Sequence, residues 1–292
     1  MFAAVATPTR DDGRLDSRTF ERLIEFLIGA GVHGVCLGGA TSEYAYTGLT
    51  DRKDAIAAAR TRLPRGRALL VGIGAASTRH VLELGDTAFS AGACAVLLPM
   101  PMFFRYAQTD LRVYCVEVSR TLRRPCLLYD LPEFTNPLLP ETSIALMRDE
   151  EFITGIKDSS GRIENLSAFA GARDDRPWHL LVGHDRLLAD GLHAGWDGTV
   201  SGVAGFCPEL PLGIYDSITR GDGARATSLQ ALLDELLVQF AALPTPWAVR
   251  VGLEVRGFPM GSFSLPVSAE RARDIEAFRT WVAAWLERVR HA

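Results

Sequence analysis

The chain of 292 residues has only two lysines, Lys53 and Lys157, and its other 29 basic residues are arginines. Lys157 ends the apolar run Phe152–Ile156 and is followed at once by Asp-Ser-Ser-Gly. That pattern predicts a buried strand running into a turn, with the lysine at the strand's C-terminal end. An arginine there would be no practical nucleophile, because its guanidinium stays protonated. A desolvated lysine amine can form a Schiff base with a ketone. The alternative is a lysine that snorkels to water from its strand end. A second candidate, Tyr129, ends the apolar run Pro125–Tyr129. A phenol can shuttle protons for an imine, or simply place its hydroxyl in solvent. A third is the loop Gly38-Gly39-Ala40-Thr41-Ser42-Glu43. Two glycines and a threonine hydroxyl can form a nest for a carboxylate, and the same residues also make an ordinary turn.

The elements that would position these groups recur regularly. Short apolar runs are predicted as strands over 2–7, 32–37, 68–73, 94–98, 125–129, 152–156, 178–182 and 197–200. Helical spacing fills the gaps, with Asp16 or Ser17 and Ser77 as candidate caps. A strand every 20 to 35 residues or so, each followed by a helix, predicts an α/β fold, a (β/α)8 TIM barrel. Residues 1–221 form the expected barrel. Residues 222–292, with no strand pattern, form an expected C-terminal helical extension packed on it, with its last helix over Ala269–His291. In such a barrel the loops after the strands carry the site. Strands five and six are neighbours, so Tyr129 and Lys157 are expected to share its mouth.

Composition narrows the function. A net charge of −4 and a pI near 5.9 leave no basic footprint for nucleic acid. Every apolar run is too short to span a membrane, and no leader pattern opens the chain. Five scattered cysteines without a CxxC predict reduced, cytoplasmic residues, with Cys36, Cys94 and Cys126 buried. There is no GxGxxG, no GxxxxGK[ST] and no HExxH, and His179 and His184 lack cysteine partners at zinc spacing.

Taken together, GGATSE after strand two, YDLP after strand five and GIKDSSG on strand six resemble the N-acetylneuraminate lyase/dihydrodipicolinate synthase family, from about Phe2 through Pro266. The resemblance implies class I aldolase, lyase or dehydratase chemistry on 2-keto acids. Lys157 would carry a pyruvate-type Schiff base and Tyr129 would shuttle protons. The Ala40 and Thr41 amides, with the Thr41 hydroxyl, would hold the carboxylate. No metal or other cofactor is called for, and a homo-oligomer, a tetramer or a dimer, is implied.

The departures bear on the substrate. Relative to that pattern, the relay tyrosine of the synthases is Phe103, its threonine partner is Ala40 and the carboxylate-binding arginine is Phe134. The asparagine of the loop after strand eight is Gly205. These changes argue against lysine biosynthesis. Met102, Phe103, Phe104, Phe134 and Phe206 predict a partly apolar mouth, although some of these aromatics are expected to pack between subunits or under the extension. Gly183 and Asp185 of VGHD, and Val200 and Ser201 of VSG, are candidates for the distal end of the substrate. Asp185 could equally cap the helix that follows it. The expected activity is cleavage of a 2-keto-3-deoxy sugar acid, or a relative, to pyruvate and an aldehyde. The alternatives are a dehydratase using the same imine and a catalytically retired keto-acid binder.

Overall fold

The computed structural model describes residues 1–290. Eight short strands form a closed parallel barrel in chain order. They are β1 (Phe2–Ala4), β2 (Gly34–Leu37), β3 (Ala68–Gly72), β4 (Ala95–Pro99), β5 (Cys126–Asp130), β6 (Ile153–Asp158), β7 (His179–Val182) and β8 (Gly198–Ser201). Eight helices follow them: α1 (Ser17–Gly29), α2 (Leu49–Arg62), α3 (Thr78–Ser90), α4 (Gln108–Leu122), α5 (Pro140–Asp149), α6 (Ile163–Arg173), α7 (Leu188–His193) and α8 (Glu209–Thr219). The extension comprises α9 (Gly223–Phe240), α10 (Trp247–Val255) and α11 (Ala269–Arg290). The expected end of the last helix, His291, lies outside the described residues.

Alternation along the strands divides the core in two. Ala4, Cys36, Leu70, Leu97, Leu127 and Val200 fill the barrel interior together with Tyr129. Intervening positions such as Val35, Val71, Leu128 and Ile156 face the helices. The strand periodicity therefore dictates where Lys157 points. Ile156 is an outward residue, so its successor faces in. The parallel register sets Tyr129 directly opposite Lys157.

Local chemistry fixes the element ends. Asp16 caps α1 by accepting from the Thr19 amide, and Ser77 caps α3 by accepting from the His80 amide. Helix α6 begins two residues after Gly161, whose φ of +72° makes a left-handed turn that the glycine permits. Helix α8 begins at Glu209 and takes Pro211 in its first turn, where no amide is missed. Cys94 corrects an expectation. It sits one residue before β4, exposed, where the chain is still outside the barrel.

The extension is tied to the barrel by a buried ion pair. Arg250 on α10 is 2% exposed and donates to Glu43, in the loop after β2, at 3.1 Å. Its other donors reach the carbonyls of Thr7, Met260 and Ser262 at 3.1, 2.6 and 2.7 Å. No described helix is long and apolar enough to cross a membrane.

Candidate active site

At the C-terminal mouth of the barrel lies a cavity of about 190 Å³, lined by Lys157, Tyr129, Thr41 and Asp185 among others. Lys157 and Tyr129 are 4% and 2% exposed. The Lys157 Nζ stands 4.2 Å from the centre of the Tyr129 ring. Among the described residues no carboxylate pairs with this amine. The other lysine, Lys53, forms an ion pair with Glu83 on the surface.

The loop after β2 forms a single 3₁₀ turn, Ala40–Ser42. Its later amides, of Ser42 and Glu43, donate to the carbonyls of Gly39 and Ala40. Among the described residues no backbone acceptor takes the Ala40 and Thr41 amides, as expected for the first turn of a helix. Ser42 braces this turn from beneath. Its hydroxyl accepts from the Gly38 amide and donates to the Val5 carbonyl at 2.6 Å. A substitution at Gly38 would drive a Cβ to 2.5 Å from the Gly72 carbonyl, so only glycine lets β2 leave the barrel here.

Asp185 closes the opposite wall. It is buried, and its Oδ2 accepts from the Val203 amide at 3.2 Å. The side chain thus reaches the loop after β8 rather than capping α7, and the capping alternative falls away. Oδ1 has no partner. Burial pushes the Asp185 carboxyl above the ordinary range, against the hydrogen bond it accepts from the Val203 amide. Ser201 itself is fully buried and lies behind Asp185, not on the cavity wall.

Ala40, Gly183, Val200 and Phe134 also line the cavity. Phe103 does not. It is 91% exposed, with φ +75°, and its ring meets Phe104 edge-on. Its backbone turns it away from the barrel within this chain. Phe206 is likewise not at the mouth. It is fully buried, against Gly252 and 6.1 Å from the Phe240 ring, beneath the extension. That is the packing alternative for this aromatic.

Three contributions escaped the sequence reading. Ser159 lines the cavity two residues after Lys157, and its buried hydroxyl has no partner. Strand alternation could have found it, since residues i and i+2 share a face. Glu133 lines the same cavity from the loop after β5. The extension supplies the roof, through Phe240, Leu243 and the Pro244-Thr245-Pro246 turn. No local pattern places a connector between two helices over a barrel mouth.

Gly183 is where backbone and chemistry meet most closely. A Cβ there would lie 2.0 Å from the Ser159 Oγ and 2.8 Å from the Lys157 Cε. Gly183→Ala is expected to cost about 1–3 kcal/mol of stability through overpacking. Displacing Lys157 should lower turnover by roughly 100-fold. Denaturant unfolding and steady-state kinetics check the two effects separately.

Next to Tyr129, Asp130 at the end of β5 is 4% exposed. Its carboxyl is pushed up to about 7, by burial and then by the charge of Asp158, against the hydrogen bond from the Leu138 amide. The unfolded chain releases this proton near the ordinary aspartate value of about 4. Between about 4 and 7 the folded state therefore holds the extra proton, and this group's contribution to stability falls as pH rises. Asp130→Asn keeps an acceptor for Leu138 and removes the titration. The variant should be more stable than wild type at pH 8 by on the order of 2–4 kcal/mol, with the difference shrinking toward pH 4. Urea unfolding at several pH values measures it.

Comparison with known proteins gives the geometry a family. A profile of the Dihydrodipicolinate synthetase family matches residues 1–283. A curated Escherichia coli (strain K12) protein, "Probable 2-dehydro-3-deoxy-D-pentonate aldolase YjhH", is 30% identical over 283 residues, covering 94% of this chain and 93% of its own. A 4-hydroxy-tetrahydrodipicolinate synthase 1 of Streptomyces coelicolor is 29% identical over 98% of this chain and 92% of its own. Among solved structures, the pyruvate complex of YagE, an Escherichia coli K12 prophage protein, has the same fold. Its TM-score is 0.90 over 97% of each chain, at 24% identity. A Ruminococcus gnavus sialic acid aldolase superposes with a TM-score of 0.88 over 99% of this chain and 98% of its own, at 18% identity. The chain belongs to the dihydrodipicolinate synthetase family, the Schiff-base lyases and aldolases that its GGATSE, YDLP and GIKDSSG motifs resemble.

Proposed function

We propose that this protein is a class I aldolase that cleaves a 2-keto-3-deoxy sugar acid, or a close relative, to pyruvate and an aldehyde. The observation that carries the reading is the buried Lys157 amine packed 4.2 Å from the Tyr129 ring, in a cavity with the Ala40–Ser42 turn on its wall. Two Escherichia coli (strain K12) relatives, "Probable 2-dehydro-3-deoxy-D-pentonate aldolase YjhH" and "Putative 2-dehydro-3-deoxy-D-gluconate aldolase YagE", support the substrate class.

In this reading the keto-acid carboxylate sits against the Ala40 and Thr41 amides and the Thr41 hydroxyl. The Lys157 amine attacks the adjacent C2 carbonyl, and water leaves as the imine forms. Tyr129 supplies the proton that water carries away. The protonated imine then draws the electron pair of the C3–C4 bond as it breaks, giving an enamine. The C4 hydroxyl yields its proton to Tyr129 and becomes the aldehyde. Protonation of the enamine at C3 and hydrolysis of the imine release pyruvate. In this reading Asp185 and Ser159, both on the cavity wall, bind substrate hydroxyls beyond C3.

The synthase reading fits less well. No arginine lines the cavity among the described residues, and Phe134 occupies the wall where the synthase-like arginine is expected. The reading is tested with a panel of 2-keto-3-deoxy pentonates and hexonates, following pyruvate release. Turnover of at least one is expected. Formation of the dehydrated semialdehyde without pyruvate would replace the aldolase with the dehydratase. Tyr129→Phe should slow imine formation and C–C cleavage alike, by about 100- to 10,000-fold.

A further inference from the structure

We propose that Glu133 sets the charge of the substrate's far end. Its carboxylate keeps out 2-keto acids that end in a second carboxylate or a phosphate and admits those that end in a hydroxyl. The proposal rests on the aldolase reading of the preceding section, to which it adds a specificity-determining residue and a substrate class. Glu133 lines the imine cavity from the loop after β5. It is exposed, and none of the ion pairs among the described residues uses it. A solvent-exposed carboxylate is charged at neutral pH. An incoming anion therefore meets it unneutralised.

The rest of the wall offers an anion little compensation. Among the described residues Lys157 is the one lysine or arginine on the cavity, and its amine is committed to the imine. Phe134, next to Glu133, stands where the synthase pattern carries an arginine. His184 also lines the cavity, and an imidazole is ordinarily uncharged at pH 8. Asp185 is the other acidic group there. Burial favours its protonated form, which can donate to a substrate oxygen, so the repulsion falls to Glu133. A far-end carboxylate or phosphate would shed water only to face a like charge. A terminal hydroxyl can donate to Glu133 instead. Discrimination thus comes from a clash of charge built against the wrong substrate.

The loop holds this charge in place. The Phe134 and Thr135 amides and the Thr135 hydroxyl all donate to the Leu131 carbonyl, each at 3.0 Å. Glu133 lies inside that closed turn. Next along the chain, Asn136 is 3% exposed. Its side-chain amide donates to the carbonyls of Pro101 and Phe104, on the loop after β4, at 2.6 and 2.7 Å. The Leu138 amide then donates to Asp130 at 3.0 Å. With the backbone tied on both sides, the Glu133 side chain can turn in solvent, but the loop cannot carry its charge away from the mouth.

The test uses matched 2-keto-3-deoxy acids of one chain length, the length that turns over fastest, ending in a hydroxymethyl group, a carboxylate or a phosphate ester. Their consumption is followed at pH 8 for wild type, Glu133→Gln and Glu133→Arg. Borohydride trapping with pyruvate is run in parallel. The expected kcat/KM for the hydroxymethyl acid is at least about 10-fold above either dianion at low salt. Raising the salt from about 20 mM to about 500 mM should narrow that ratio, as screening shortens the reach of the charge. Glu133→Gln should cut the ratio by about threefold or more and remove most of its salt dependence, and Glu133→Arg should cut it further. A purely structural effect would slow all three acids alike and leave the ratio unchanged. That result, or equal or faster turnover of a dianion by wild type, overturns the role of Glu133. Trapping at Lys157 with turnover then leaves the aldolase reading intact. No turnover of any of the acids overturns that reading and the proposal together.

Discussion

Lys157→Arg is expected to stay folded and lose aldol cleavage by roughly 10,000-fold or more, because the Lys157 amine buried at the barrel mouth is the proposed nucleophile. The substitution keeps a positive charge, so any role as a mere electrostatic anchor would survive it. A guanidinium cannot add to a ketone and lose water to give the imine. Both the reaction and its trapped intermediate should vanish together. The inward position of residue 157 follows from strand alternation, and its neighbour Tyr129 is fixed by the register of β5 against β6. Folding of the variant is checked by circular dichroism and thermal melting. Retention of more than about a tenth of the activity would remove Lys157 from the mechanism.

Arg250→Met should be the most damaging structural change, at about 3–5 kcal/mol. Methionine fills much of the same volume, so the loss is in charge and hydrogen bonds rather than packing. It leaves the half-buried Glu43 without its partner, and it takes donors from the carbonyls of Thr7, Met260 and Ser262. Arg250→Lys should recover only part of this. A single ammonium cannot satisfy carbonyls that a planar fork reaches on several sides. Glu43 has φ +51° and follows the Ala40–Ser42 turn directly. Loosening it should therefore raise KM for the keto acid more than it lowers kcat. Denaturant unfolding gives the stability, and the KM-against-kcat split reports on the turn. Arg250→Met within about 1 kcal/mol of wild type would show that the pair does not hold extension and barrel together.

The barrel was legible because its signals are local. Short apolar runs, turn residues and caps such as Asp16 and Ser77 recur at intervals that a helix must fill. The pairing of Tyr129 with Lys157 was legible for the same reason, since it needs only strand order and a two-residue period. What escaped depends on the path of the chain in space. Glu43 and Arg250 are 207 residues apart, and nothing near either one names the other. Ser201 reads as a mouth residue by position, yet it stands behind Asp185, because an aspartate carboxyl one loop away reaches across to Val203. Phe206 is apolar and next to a strand end, which suits a mouth, but Gly252 on α10 leaves a space that its ring fills. Phe103, which a motif places at the site, turns its ring out of its own barrel on a left-handed backbone.

The most direct test of the central claim is borohydride reduction in the presence of pyruvate, followed by intact mass and peptide mapping. The expected result is one added pyruvate-derived group per chain, on the peptide that contains Lys157 and absent from Lys157→Arg. A folded protein that gains no mass, or gains it at Lys53 or the amino terminus instead, would contradict the assignment of Lys157 as the imine-forming residue.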